Sequence, residues 1–136
     1  MPIRAILVDD DDLSIRHLLR VIERWKGTIE VVGIANDGES ALAIIEDERP
    51  DVVFLDIDLP LLNGFEVSEQ LRYRAPIVFV TASTAHRKQA EQSGALAYLC
   101  KPIGHDDVEP VIEILRRKAM NAQQRTAVTA ETKNEG

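Results

Sequence analysis

Five short apolar runs alternate with amphipathic stretches along almost the whole sequence. Within each run the apolar residues are mostly consecutive, and the runs are rich in Val, Ile, Leu and Phe. Such runs are typical of strands buried on both faces of a parallel sheet. The predicted strands are Ile3–Val8, Ile29–Ala35, Val52–Leu55, Ile77–Thr81 and Ala97–Cys100.

The stretches between and after these runs have the spacing of amphipathic helices. In the first, apolar residues recur three or four positions apart from Ile15 to Trp25, with charged residues on the other side. Five strands alternating with five helices predict an α/β fold, a (βα)5 doubly wound five-stranded parallel sheet. We expect the flavodoxin-like strand order 2-1-3-4-5. The other four helices are expected near residues 41–45, 65–71, 85–93 and 108–115.

The length of 136 residues and the 45% hydrophobic content fit one globular domain. We place one domain at residues 1–120, and we expect the polar residues 121–136 to form a disordered tail. No apolar run approaches the ~18–20 residues of a membrane span, and no signal peptide is recognised. The single cysteine, Cys100, excludes an internal disulfide framework and is expected to be buried. A cytoplasmic location is the simplest expectation.

The charge balance limits the partners. Sixteen Lys and Arg against twenty-three Asp and Glu leave a formal net charge of −7. Proteins that bind nucleic acid usually present a basic face. We therefore expect neither direct nucleic-acid binding nor membrane binding.

Chemically versatile residues follow four of the five predicted strands. Asp9 and Asp10 follow the first strand, Asp56 the third, Thr81 ends the fourth, and Lys101 follows the fifth. The carboxyl ends of parallel strands meet at one edge of the sheet, where α/β folds bind ligands. The sequence therefore predicts that three carboxylates, a hydroxyl and a lysine converge there.

This set of side chains suggests phosphoryl chemistry. Clustered carboxylates repel one another unless a cation neutralises them, and oxygen ligands suit Mg²⁺, with Mn²⁺ as the alternative, better than zinc. Lys101 could hold a phosphoryl oxygen, and Thr81 could donate a hydrogen bond to another. A carboxylate facing a metal-bound phosphoryl group can act as the nucleophile. The site is thus expected to be phosphorylated on an aspartate.

Four motifs in order carry a resemblance to a known family over residues 3–118. The motifs are Asp9-Asp10 after an apolar strand, Leu55-Asp56-Ile57-Asp58-Leu59-Pro60 with Asn63-Gly64, Val80-Thr81-Ala82, and Tyr98-Leu99-Cys100-Lys101-Pro102. With these motifs the sequence resembles the receiver domain of two-component response regulators, and a stand-alone regulator is the expected form.

The resemblance implies a role for each acidic residue. Asp56 would be the phosphoacceptor, with a histidine kinase or a histidine phosphotransfer protein as donor. Asp10 and Asp56 would bind Mg²⁺ directly, the backbone carbonyl of Asp58 would be a third ligand, and Asp9 would act mainly through water. Catalysis would be limited to self-phosphorylation and autodephosphorylation.

The resemblance also implies how the signal leaves the site. Lys101 would pair with the phosphoryl group, and the peptide bond between Lys101 and Pro102 would be cis. Thr81 would move to bond the phosphoryl group, and the switch residue Tyr98 would rotate with it. Together they would reshape the surface of the fourth helix, fifth strand and fifth helix, which would bind an unknown downstream protein or drive a phosphorylation-dependent homodimer.

Two alternatives remain open at the level of sequence. The chain could be a receiver fragment of a longer regulator whose output domain follows Gly136. It could also be a haloacid-dehalogenase-like phosphatase, since that family has an Asp-x-Asp motif like Asp56-Ile57-Asp58 after an apolar strand. That family places its acidic pair late in the chain, whereas Asp9 and Asp10 come first here.

Overall fold

The fold is built on a five-stranded parallel sheet. The computed structural model describes residues 1–135, and the side chains of residues 1–123. The strand order is β2-β1-β3-β4-β5 and all pairings are parallel, which confirms the predicted topology. The strands are β1 (Ile3–Val8), β2 (Ile29–Ala35), β3 (Val52–Asp56), β4 (Ile77–Thr81) and β5 (Ala97–Cys100).

A helix follows each strand. A 3-10 turn, Glu23–Trp25, extends the first helix, and Gly94 adopts a φ of 80° just after the fourth, as a helix-ending glycine does. The helices are α1 (Asp12–Ile22), α2 (Gly38–Glu48), α3 (Gly64–Gln70), α4 (Arg87–Gln92) and α5 (His105–Glu135).

Successive strand residues contribute to opposite faces of the sheet, and each face has its own core. Leu7 and Phe54 belong to the face covered by α1 and α5. Ile6, Leu55 and Phe79 belong to the face covered by α2, α3 and α4. Burial on both faces explains why the strands are continuously apolar in sequence.

Polar side chains cap the amino-terminal ends of the first three helices. Asp11 accepts a hydrogen bond from the backbone N–H of Leu13 at 3.1 Å and caps α1. Asp37 caps α2 through Ser40. Asn63 and Glu66 form a reciprocal capping box at α3. These caps satisfy backbone donors and fix where each loop leaves the edge of the sheet.

One residue of the carboxyl-terminal half, Cys100, differs from expectation. Cys100 is exposed, because it is the last residue of β5, an edge strand of the sheet. The backbone of α5 continues to Glu135 and so enters the polar segment 121–136, whose expected disorder stays a prediction. That segment is rich in Ala, Gln and Glu and lacks Gly and Pro before residue 136, which favours a helix. Side chains beyond residue 123 lie outside the described part, and the domain boundary at residue 120 stays a prediction.

Candidate functional site

Asp56 lies at the centre of the site. It is the last residue of β3, the middle strand, and its side chain is only 5% exposed. The backbone N–H of Asp58 donates to its Oδ1 at 3.3 Å. Gly64 closes over the same loop, since a Cβ there would lie 2.5 Å from the backbone oxygen of Asp56. The loop after β3 therefore holds the Asp56 carboxylate in a buried position at the carboxyl edge of the sheet.

Two further carboxylates come from the loop after β1, the strand next to β3. Asp9 is buried and Asp10 is exposed. The backbone N–H of Asp11 donates to Asp9 Oδ1 at 2.9 Å, which orients that carboxylate. Carboxylate oxygens of Asp9, Asp10 and Asp56 all lie within 4.8 Å of one another. The structure thus brings together the three acidic side chains that the strand ends predicted.

Lys101 reaches this cluster from the end of β5. Its Nζ donates to Asp9 Oδ2 at 2.7 Å and lies 3.8 Å from Asp56 Oδ2. Burial acts to lower the pKa of Lys101, but the hydrogen bond to Asp9 and the charge of Asp56 outweigh it and raise this pKa. The lysine is therefore charged at neutral pH. The Lys101–Pro102 bond is cis, as the resemblance implied.

One lysine does not balance three carboxylates. Burial, followed by the negative charge of Asp9, raises the pKa of Asp56 to about 6, although Lys101 acts to lower it. At neutral pH the site holds Asp56 ionised in an environment that opposes its charge. An added cation would relieve this, and a cluster of carboxylate oxygens is the donor set that Mg²⁺ and Mn²⁺ prefer. The residues present fit such an ion.

Thr81 ends β4 beside this cluster and is completely buried. Its hydroxyl donates a hydrogen bond to Asp58 Oδ2 at 3.1 Å and accepts one from the backbone N–H of Ser83, also at 3.1 Å. Tyr98 on β5 is half-buried, and its hydroxyl donates to the backbone carbonyl of Ser83 at 2.6 Å. Thr81 and Tyr98 thus share the loop after β4 as a common neighbour.

The structure adds His86, which was not among the predicted site residues. Its Nε2 lies 3.5 Å from Asp58 Oδ1, and its ring packs edge-on against Phe65 at a centroid distance of 5.8 Å. His86 directly precedes α4 in the loop after β4. That position at the same edge of the sheet was the available signal. The predicted helix over residues 85–93 concealed it, because the helix begins two residues later.

Comparison with known proteins assigns the family. The model of the response regulator receiver domain matches residues 5–113, which is most of the chain. The chain belongs to this family, the receiver domains of two-component systems.

Among relatives, the transcriptional regulatory protein PdtaR of Mycobacterium tuberculosis is 35% identical over 115 residues, covering 82% of this chain and 56% of its own. The signal receiver domain of the putative response regulator NarL from the same organism superposes with a TM-score of 0.74 at 28% identity, covering 85% of this chain and 97% of its own. A CheY-like receiver protein from Methanospirillum hungatei has a TM-score of 0.74 at 29% identity, covering 89% and 99%.

The curated relatives are longer than this chain. It spans about half of their length, from 45% to 56% in the first matches. In the part of the chain that the structure describes, no helix combines the length and apolar character needed to cross a membrane.

Proposed function

We propose that this receiver domain accepts a phosphoryl group on Asp56 and thereby changes which proteins it binds. The main supporting observation is the arrangement at the carboxyl edge of the sheet. There the buried carboxylate of Asp56 lies among two other carboxylates and a lysine. Family membership supports the same chemistry. The chain is proposed to act as a signalling protein in the cytoplasm.

The acidic residues are proposed to hold Mg²⁺, with Mn²⁺ as a substitute. Asp10 and Asp56 would bind it directly together with the backbone carbonyl of Asp58, and Asp9 would act mainly through water. The ion would offset negative charge on the carboxylates and on the incoming phosphoryl oxygens. The raised pKa of Asp56 supports this proposal, because burial and then the charge of Asp9 disfavour its ionised form, which a bound cation would stabilise.

The phosphoryl group is proposed to come from a phosphohistidine on a histidine kinase or histidine phosphotransfer protein. A carboxylate oxygen of Asp56 attacks phosphorus, the oxygen–phosphorus bond forms, and the phosphorus–nitrogen bond breaks with its electron pair left on the imidazole. Lys101 offers its ammonium group to a phosphoryl oxygen. Attack of water on phosphorus later returns the carboxylate and releases inorganic phosphate.

Beyond this cycle the chain is proposed to have no enzymatic activity. Small phosphodonors such as acetyl phosphate would replace phosphohistidine in self-phosphorylation. The haloacid-dehalogenase alternative loses its basis, because the family match covers residues 5–113 and the acidic pair stands at the end of β1. A phosphatase would instead turn over a separate substrate many times.

The signal is proposed to leave through the face formed by α4, β5 and α5. Thr81 would turn to the phosphoryl group, and Tyr98 would follow because both residues contact Ser83. The face would bind a downstream protein or a second phosphorylated copy, and we propose no direct contact with nucleic acid or membrane. Helix α4 suits this role because it is six residues long and buries only Ala90.

The greater length of the relatives supports a second candidate organisation. In it, the same receiver controls an output domain on one polypeptide, rather than acting alone. The acceptor chemistry is identical in both. The genomic reading frame after Gly136 distinguishes them.

Hydrogen exchange with a stable phosphoryl mimic tests the proposed switch. With beryllofluoride and Mg²⁺, we expect amide exchange to change in α4 and β5 and to stay unchanged in α2, which packs on the other end of the sheet. Asp56→Asn is the control and should show no change. Exchange that is unaltered in α4 and β5 of the wild-type protein, although the mimic binds, would contradict signalling through this face.

A further inference from the structure

We propose that the side chain of Asp58 is a latch that holds Thr81 in the unphosphorylated arrangement. The latch is defined as the hydrogen bond from the Thr81 hydroxyl to Asp58 Oδ2, which is 3.1 Å long. This inference rests on the proposed function, because it concerns what Thr81 must give up before it can bind a phosphoryl oxygen. It assigns Asp58 a second role besides its backbone carbonyl.

The hydroxyl of Thr81 has no spare proton. A threonine hydroxyl carries one donor hydrogen, and here that hydrogen goes to Asp58. The backbone N–H of Ser83 donates to the same oxygen at 3.1 Å, so the acceptor side is also engaged. A phosphoryl oxygen on Asp56 could be bonded by Thr81 only if Asp58 released it. Asp58 and the phosphoryl group therefore compete for one hydrogen.

The geometry favours the Asp58 carboxylate as the acceptor in this competition, although its side chain is 54% exposed to solvent. A carboxylate is a better acceptor than a neutral oxygen, and Thr81 is buried where few alternatives exist. The loop after β3 fixes Asp58 beside the acceptor, since its backbone N–H donates to Asp56 Oδ1 at 3.3 Å. Phosphorylation of Asp56 would add negative charge next to the Asp58 carboxylate. That repulsion and the new acceptor both favour release of Thr81.

The same carboxylate also contacts the segment before α4. Its Oδ1 lies 3.5 Å from His86 Nε2, and His86 immediately precedes Arg87, the first residue of α4. A change in the position of Asp58 on release of Thr81 therefore alters a contact at the start of α4. Asp58 therefore connects the loop after β3 to α4. This connection is additional to the proposed coupling between Thr81 and Tyr98.

The latch lowers the population of protein that is ready to bind a phosphoryl group. Apparent affinity is reduced by the fraction of molecules in the competent arrangement. Removing the Asp58 carboxylate, which accepts the Thr81 hydrogen bond, should therefore tighten binding of a phosphoryl mimic. Because the Asp58 side chain is 54% exposed, we expect the bond to have the strength of an ordinary hydrogen bond, which predicts an increase in affinity of about fivefold to tenfold.

The test is a double-mutant cycle on binding of beryllofluoride in the presence of Mg²⁺, measured by calorimetry. The variants of the full chain are Asp58→Ala, Thr81→Ala and the double variant. We expect D58A to bind about fivefold to tenfold more tightly than the wild-type protein. In the T81A background, the same change should have less than about a twofold effect, because there is no hydroxyl to release.

Asp58→Asn separates the latch from simple repulsion between Asp58 and the anionic mimic. Asparagine removes the charge but keeps an oxygen that can accept the Thr81 hydrogen. The latch predicts a gain smaller than that of D58A. An equal gain in D58N and D58A that persists in the T81A background would overturn the inference in favour of charge repulsion.

Two further outcomes have distinct meanings. Wild-type protein that binds the mimic with D58A unchanged would overturn the latch and leave the proposed function standing. Wild-type protein that binds no mimic would contradict the proposed function and the latch with it. Unfolding of the same four proteins without mimic or metal should show coupling between Asp58 and Thr81, and additive effects there would also overturn the latch.

Discussion

Replacing Asp56 by asparagine is expected to stabilise the metal-free protein at pH 7 by about 3 kcal/mol. The pKa of Asp56 is raised to about 6, first by burial and then by the charge of Asp9. The folded protein therefore holds a carboxylate in its unfavourable ionised form. The amide of asparagine keeps an oxygen for the N–H of Asp58 without that charge. Urea unfolding of both proteins in the presence of a chelator measures the difference.

The pH dependence gives the sign of this effect. Because the folded pKa of Asp56 lies above the ordinary value of 3.8, the folded state binds more protons than the unfolded state between them. The Asp56 contribution to the free energy of unfolding therefore falls as the pH rises from about 4 to about 6, and is constant above that range. D56N should lack this fall. Mg²⁺ should stabilise the wild-type protein more than D56N. The difference between their free energies of unfolding should therefore be smaller with Mg²⁺ than without it.

Asp47→Asn is the matched control for removal of one carboxylate. Asp47 is exposed on α2, on a different element from the acidic cluster, and its replacement should change stability by less than about 0.5 kcal/mol. Two results would contradict this account: a D56N protein that is less stable than the wild type at pH 7, or one whose free energy of unfolding falls equally between pH 4 and 6. Either would show that the ionised Asp56 carboxylate does not destabilise the folded protein.

Replacing Lys101 by methionine is expected to have the opposite effect on stability. Lys101 bonds Asp9 at 2.7 Å and lies 3.8 Å from Asp56, so its loss leaves two buried carboxylates without this cation. Because the lysine side chain is 23% exposed, we expect a loss of about 2 kcal/mol, below the range for fully buried pairs. Urea unfolding at pH 7 without metal measures it.

The same change should slow phosphorylation much more than it lowers stability. Loss of one group that stabilises developing charge typically reduces a rate by about a hundredfold or more. We expect K101M to react with acetyl phosphate about a hundredfold more slowly, as followed by intact mass under conditions where it is folded. Lys88→Met, at an exposed position on α4, should leave both stability and rate near wild type. A K101M protein labelled at the wild-type rate would remove Lys101 from the proposed mechanism.

The main chain and the acidic cluster could be predicted from sequence for the same physical reason. Strands buried on both faces must be continuously apolar, so the break in each run marks the carboxyl end of a strand. Those ends meet at one edge, which is why Asp9, Asp10 and Asp56, far apart in the chain, were expected together and are found together. Lys101 was expected at the same edge, and its side chain reaches to 3.8 Å from Asp56 Oδ2 although β4 lies between β3 and β5.

The contacts between loops could not be predicted from the pattern of apolar residues. The hydrogen bond between Thr81 and Asp58 joins two loops whose paths are set by turns and caps rather than by periodicity. The position of His86 depends on where α4 begins, and its sparse apolar content gave little indication of that boundary. Cys100 was expected to be buried because apolar character does not distinguish a central strand from an edge strand.

The measurement that tests the central claim most directly is the intact mass of the protein after incubation with acetyl phosphate and Mg²⁺. We predict one added phosphoryl group on the wild-type chain, none on Asp56→Asn, and none when Mg²⁺ is removed by a chelator. Equal labelling of D56N would contradict Asp56 as the acceptor. A wild-type protein that gains no phosphoryl group and also fails to bind beryllofluoride would contradict a phospho-accepting function altogether.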